Sequence, residues 1–69
     1  MSVFEILDFL KRKSVSFELS NHRDGLVMIS AAVPGERWEI EVSQSGDVEV
    51  EIFRSDGEIY GFDKLSDIE

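Results

Sequence analysis

The sequence contains no cysteine. That one absence excludes a disulfide framework, a thiolate metal site and a cysteine nucleophile. Histidine occurs once, as His22, so a Ser-His-Asp set would rest on a single residue inside "NHRDG". That stretch reads as a turn, and its histidine is expected to be solvated. No apolar run approaches the roughly 18 residues of a membrane span. Positive charge is scarce, with 7 Lys and Arg against 15 Asp and Glu and a formal net charge of −8. Such an excess repels nucleic acid and anionic membrane surfaces, and it draws cationic partners. A glycine-rich phosphate loop is missing too, because Gly25, Gly35, Gly46, Gly57 and Gly61 fall singly at turn or cap positions. The opening "MSVFEILDFLKRK" carries acids within its apolar stretch and bases after it, the reverse of a secretory signal. A cytoplasmic protein is the expectation, with no nucleic acid and no membrane among its partners.

What is present describes one small globular domain over residues 1–69. The hydrophobic fraction is 42% and the charged fraction 32%, too apolar for a disordered chain. A core this small supplies only about 3–5 kcal/mol, and folds of this size commonly need a staple. Without disulfides, self-association as a homodimer is the staple that remains.

Residues 2–13 read as a helix. Ser2 and Glu5 make an S-x-x-E capping box, with Met1 and Ile6 placed for a hydrophobic staple. Val3, Ile6, Leu7 and Leu10 follow the i, i+3, i+4, i+7 spacing of an apolar stripe, which Phe4 and Phe9 widen. The late basic trio Lys11, Arg12 and Lys13 complements the helix dipole. From Ser14 the period changes to two. "SVSFELS" is a half-buried strand, and "LVMISAAV" is apolar on both parities, as an interior strand is. Pro34-Gly35 suits a type II turn, whose twist fits a hairpin poorly, so local irregularity is expected there. Arg37 to Ser43 and Asp47 to Arg54 are the third and fourth strands. The Gln44-Ser45-Gly46 loop between them fits a type I turn closing on a G1 bulge. Ile59 and Tyr60 suggest a short fifth strand, and Phe62, Leu65 and Ile68 a short C-terminal helix.

These turns specify a register. Ser43 pairs with Asp47, which sets Val42 against Val48, Ile40 against Val50 and Trp38 against Ile52. Val33 pairs with Glu36, which sets Ala31 against Trp38 and Ile29 against Ile40. The first hairpin is expected to align Leu19 with Val27 and Phe17 with Ile29. One sheet face then collects the apolar residues, and a slip of one residue would turn a whole strand over. The fold class that follows is α+β: an N-terminal helix packed on one face of a four-stranded antiparallel β-meander, with a short C-terminal helix.

The other face collects acids. The register sets Glu41 opposite Glu49 and Glu39 opposite Glu51, with Met28, Leu26 and Phe53 beside them. Like charges directly opposite destabilise by up to about 1 kcal/mol a pair. A carboxylate pair such as Glu41 and Glu49 shares a proton for acid–base work only in a concave, partly dry site, which a flat sheet face does not supply. Parallel strand carboxylates wrap a Ca²⁺ or Mg²⁺ ion poorly, and no EF-hand spacing occurs. No catalytic residue, metal or cofactor is therefore expected, and a small metal-dependent enzyme is the weakest reading. An acidic face with apolar anchors suits docking of a basic protein. Its candidate residues are Glu39, Glu41, Glu49, Glu51, Phe53 and Met28. The alternative reading is a structural or regulatory homodimer whose second copy covers the apolar residues.

"VPGERWEIE", then "GDVEVEIFRSDGEIYG" and a short acidic helix, span residues 33–69. This pattern resembles small uncharacterised bacterial proteins, some of which resemble the immunity partners encoded beside polymorphic toxins. The resemblance implies a bacterial cytoplasmic protein that neutralises its partner by binding, of immunity or antitoxin type. It carries no site residues with it.

Overall fold

The computed structural model describes residues 2–68, and of His22 the backbone only. The chain runs through helix α1 (Val3–Arg12) and four strands: β1 (Ser16–Arg23), β2 (Leu26–Val33), β3 (Glu36–Ser43) and β4 (Val48–Arg54). A 3₁₀ helix, η1 (Phe62–Asp67), follows. The strands form one antiparallel sheet in the order β1-β2-β3-β4. This is the α+β meander the sequence predicts.

Both ends of α1 are capped. Ser2 Oγ accepts from the Glu5 backbone N–H, and the Ser2 N–H donates to Glu5 Oε1, each at 3.2 Å. These are the two reciprocal bonds of a capping box. The staple partner Met1 lies outside the described residues. At the C-terminus Val15 N–H donates to the Leu10 carbonyl and Ser14 N–H to the Lys11 carbonyl, both at 3.0 Å. That pattern is a Schellman motif, which needs a left-handed residue just past the helix. Ser14 fills that place at φ +57°. It belongs to the cap, and β1 begins only at Ser16.

The second and third hairpins follow the predicted register from Val33↔Glu36 to Leu26↔Ser43 and from Val42↔Val48 to Trp38↔Ile52. The Ser43 carbonyl accepts from Gly46 N–H at 3.0 Å, and Gly46 sits at φ +92°. A type I turn with a G1 bulge has this signature. Gly35 takes φ +75°, as position i+2 of a type II turn requires. The pairing there runs unbroken to Val33↔Glu36, so the expected irregularity falls elsewhere.

It falls in the first hairpin. Leu19 pairs with Ile29 and Phe17 with Ala31, two residues away from the expected alignment. The stretch "NHR", read as turn, is strand, and Asp24-Gly25 alone makes the turn. A register shift between Ser20 and Arg23 adds one residue to β1, as a β-bulge does. Asp24 keeps a negative φ, so the turn is not of the I′ type whose twist matches the strands. The bulge takes up the mismatch. Because the displacement is an even number of residues, each side chain keeps its predicted face.

The core forms where α1 crosses the sheet. Ile6 and Leu10 meet Ile29, Ala31, Ile40 and Val42, with Val3, Leu7, Val15, Phe17 and Trp38 packed around them. Trp38 Nε1–H donates to Glu36 Oε1 at 2.9 Å, and Arg54 Nε–H donates to Glu36 Oε2 at 2.9 Å. These two bonds hold the Glu36 carboxyl below its ordinary 4.5. Phe4 and Phe9 stay exposed and do not widen the buried stripe. A helix about 10 Å across covers only two or three strands spaced about 4.8 Å apart. Strand β4 lies beyond its reach, and all seven of its residues are exposed. Among the described residues no fifth strand forms at Ile59 and Tyr60. The predicted C-terminal helix is a 3₁₀ helix with no buried residue.

Candidate functional site

The face opposite α1 is made by strand periodicity alone. Alternate residues of β1 to β4 point to it, and the register arranges them in rows across the sheet. One row runs Ser20, Met28, Glu41, Glu49, and the next Glu18, Ser30, Glu39, Glu51. A third runs Ser16, Ala32, Arg37, Phe53. Glu41 thus lies opposite Glu49 and Glu39 opposite Glu51, as the sequence predicts. Opposed Cβ atoms in antiparallel strands are about 4.5–5.5 Å apart, so these carboxylates crowd one another.

The four glutamates and Met28 line one shallow depression of about 370 Å³. Phe53, the sixth candidate, belongs to a neighbouring depression with Arg37 and Arg54. The Arg37 guanidinium lies 4.7 Å from the centre of the Phe53 ring, a cation–π stack that covers part of the ring. The acidic patch therefore has an aromatic rim closed by an arginine.

Charge on the patch is unevenly balanced. Arg23 reaches Glu41 at 3.3 Å from the end of β1, and Arg37 reaches Glu39 at 3.5 Å. Glu39 and Glu41 are also the more buried pair, with side chains 29% and 18% exposed. On β4, Glu49 and Glu51 have no ion pair or hydrogen bond among the described residues. The uncompensated charge is concentrated on the outer strand. Arg23 escapes a reading of the sequence because it stands in the segment taken for a turn. The Arg37–Phe53 contact was accessible, since the β3–β4 register places the two residues opposite each other.

Among the described residues, no group of three or more acids or histidines is arranged to hold a metal ion. A second concavity, of about 560 Å³, lies between the N-terminus of α1 and the β1–β2 and β3–β4 turns. Among the described residues, Glu5 is the one titratable side chain on its wall, and it is engaged in the helix cap. No helix among the described residues is long and apolar enough to cross a membrane. No protein-family model, curated protein or solved structure matches the chain.

Proposed function

We propose that this chain is a non-enzymatic protein-binding module that presents the acidic sheet face to a basic partner. The observation that carries this reading is the pair of opposed glutamate rungs, Glu41–Glu49 and Glu39–Glu51, which line a depression on the sheet face away from α1. Folding does not require them, because opposed like charges cost stability. A lysine- or arginine-rich surface relieves that repulsion on docking, and the bound state gains what the free protein lacks. Complementary potentials also speed encounter and select against acidic partners. Met28 and the Phe53 ring supply apolar contact at the centre and rim. A module of immunity or antitoxin type, which neutralises its partner by capture, works in this way.

The reading is tested by reversing charge where it is least compensated. Glu49→Lys with Glu51→Lys is expected to weaken capture of the cognate protein from its native cell by roughly tenfold or more, and capture by the unaltered chain to fall with added salt. The same double change removes the repulsion, so the unfolding free energy from urea titration should hold or rise, by up to about 1 kcal/mol per rung. Undiminished capture by the folded double variant would refute the acidic face as the docking surface.

A further inference from the structure

The accessible surface of the chain is 5743 Å². A compact monomer of 7.9 kDa exposes about 4,400 Å², so this one exposes roughly 1,300 Å² more. Its radius of gyration is 14.7 Å, against about 11 Å for a compact chain of this length. Much of the exposed apolar surface lies on β4 and the segment after it. Val48, Val50 and Ile52 point to the same side of the sheet as the core residues Val42 and Ile40 and the half-buried Trp38, yet stand exposed beyond the edge of α1. Every described residue after Arg54 is exposed as well. In that segment Ile59 is 99% exposed and Phe62 84%, with Leu65 and Ile68 also open to solvent.

The segment is nonetheless ordered within itself. Tyr60 donates to Asp56 at 2.7 Å, Lys64 lies 4.5 Å from the Tyr60 ring centre, and Lys64 pairs with Asp67 at 2.7 Å. Two unpartnered apolar surfaces therefore sit on one chain: the outer strand and the arm that follows it.

We propose that the working unit is a homodimer in which the C-terminal arm of each copy, residues 55–68, covers the Val48, Val50 and Ile52 face of the other. A standard interface buries about 800 Å² on each partner, which the excess surface accommodates. An incoming arm brings its exposed Ile59, Phe62, Leu65 and Ile68 to the apolar row of Val48, Val50 and Ile52. The four glutamates lie on the opposite sheet face and stay open in the dimer. The dimer and the acidic docking face therefore stand or fall separately.

Light scattering on the full chain at tens of micromolar tests the dimer, and the expected mass is twice 7.9 kDa. Leu65→Asp with Ile68→Asp should weaken dimerisation roughly thirtyfold or more. These two side chains pack in no core of the single chain, so the circular dichroism of the fold should persist. A control change at the exposed Phe4, Phe4→Ser, should leave the mass unaltered. In a mixed sample of isotope-labelled and unlabelled unaltered chains, filtered nuclear Overhauser contacts should join Leu65 and Ile68 of one copy to Val50 and Ile52 of the other. A mass of 7.9 kDa, a mass other than the dimer's, a dimer indifferent to the arm substitutions, or contacts confined to one copy would each overturn the proposal.

Discussion

Asp56 and Tyr60 form the most sharply defined polar contact outside the sheet. The backbone N–H of Glu58 and then the Tyr60 hydroxyl hold the Asp56 carboxyl below its ordinary 3.8, and Asp56 in turn raises Tyr60 above 10.0. The signs follow from which form each bond favours. The depressed carboxyl contributes order above pH 3.8 and loses it as pH falls through the lowered value. The raised phenol contributes below pH 10.0 and loses it as pH climbs through the raised value. Tyr60 is the one tyrosine, so its ionisation is read directly from ultraviolet absorbance. Asp56→Ala should move that midpoint down toward 10.0, and an unmoved titration would show that the bond does not form in solution.

At the scale of elements, Ser14 is the residue most at odds with its place. The Schellman cap demands positive φ, and a side chain there costs roughly 1 kcal/mol where glycine pays little. The Ser14 side chain makes no hydrogen bond among the described residues to offset this. Ser14→Gly should raise stability by up to about 1 kcal/mol, a Tm increase of roughly 4–8 °C in a domain of this size. A lowered Tm would show that the left-handed geometry is not what limits the helix end. Hairpins teach a related lesson. Gln44-Ser45-Gly46 and Pro34-Gly35 each fix a pairing through local backbone geometry, and both were legible in the sequence. Asp24-Gly25 was not, because "NHRDG" is polar throughout and gives no period by which strand separates from turn. The bulge that lengthens β1 carries Arg23 to Glu41, so the missed register also concealed part of the candidate site.

For the whole molecule, one helix over four strands leaves an incomplete layer. A dimer that completes it makes stability depend on concentration by mass action. Raising the chain a hundredfold above the dimer dissociation constant should add about 2.7 kcal/mol and raise Tm visibly in calorimetry. A Tm constant over that range would mean that the chain folds without a second copy. Dimerisation would also present the acidic face twice, and a basic partner of the proposed kind with two patches would gain avidity that a single copy lacks.

The sequence by itself determined the capped helix, the four strands, the β2–β3–β4 register and the opposition of Glu39 and Glu41 to Glu51 and Glu49. All of these follow from short-range rules: cap chemistry, a period of two, and turns that set pairing within a few residues. Only the tertiary structure decided that β4 lies outside the cover of α1 and that Val48, Val50 and Ile52 stay exposed. Those outcomes depend on where a helix of fixed width comes to rest across a sheet wider than itself. Val48, Val50 and Ile52 follow the same apolar alternation as Ile40 and Val42. What separates them is distance from the helix, and no local pattern records it.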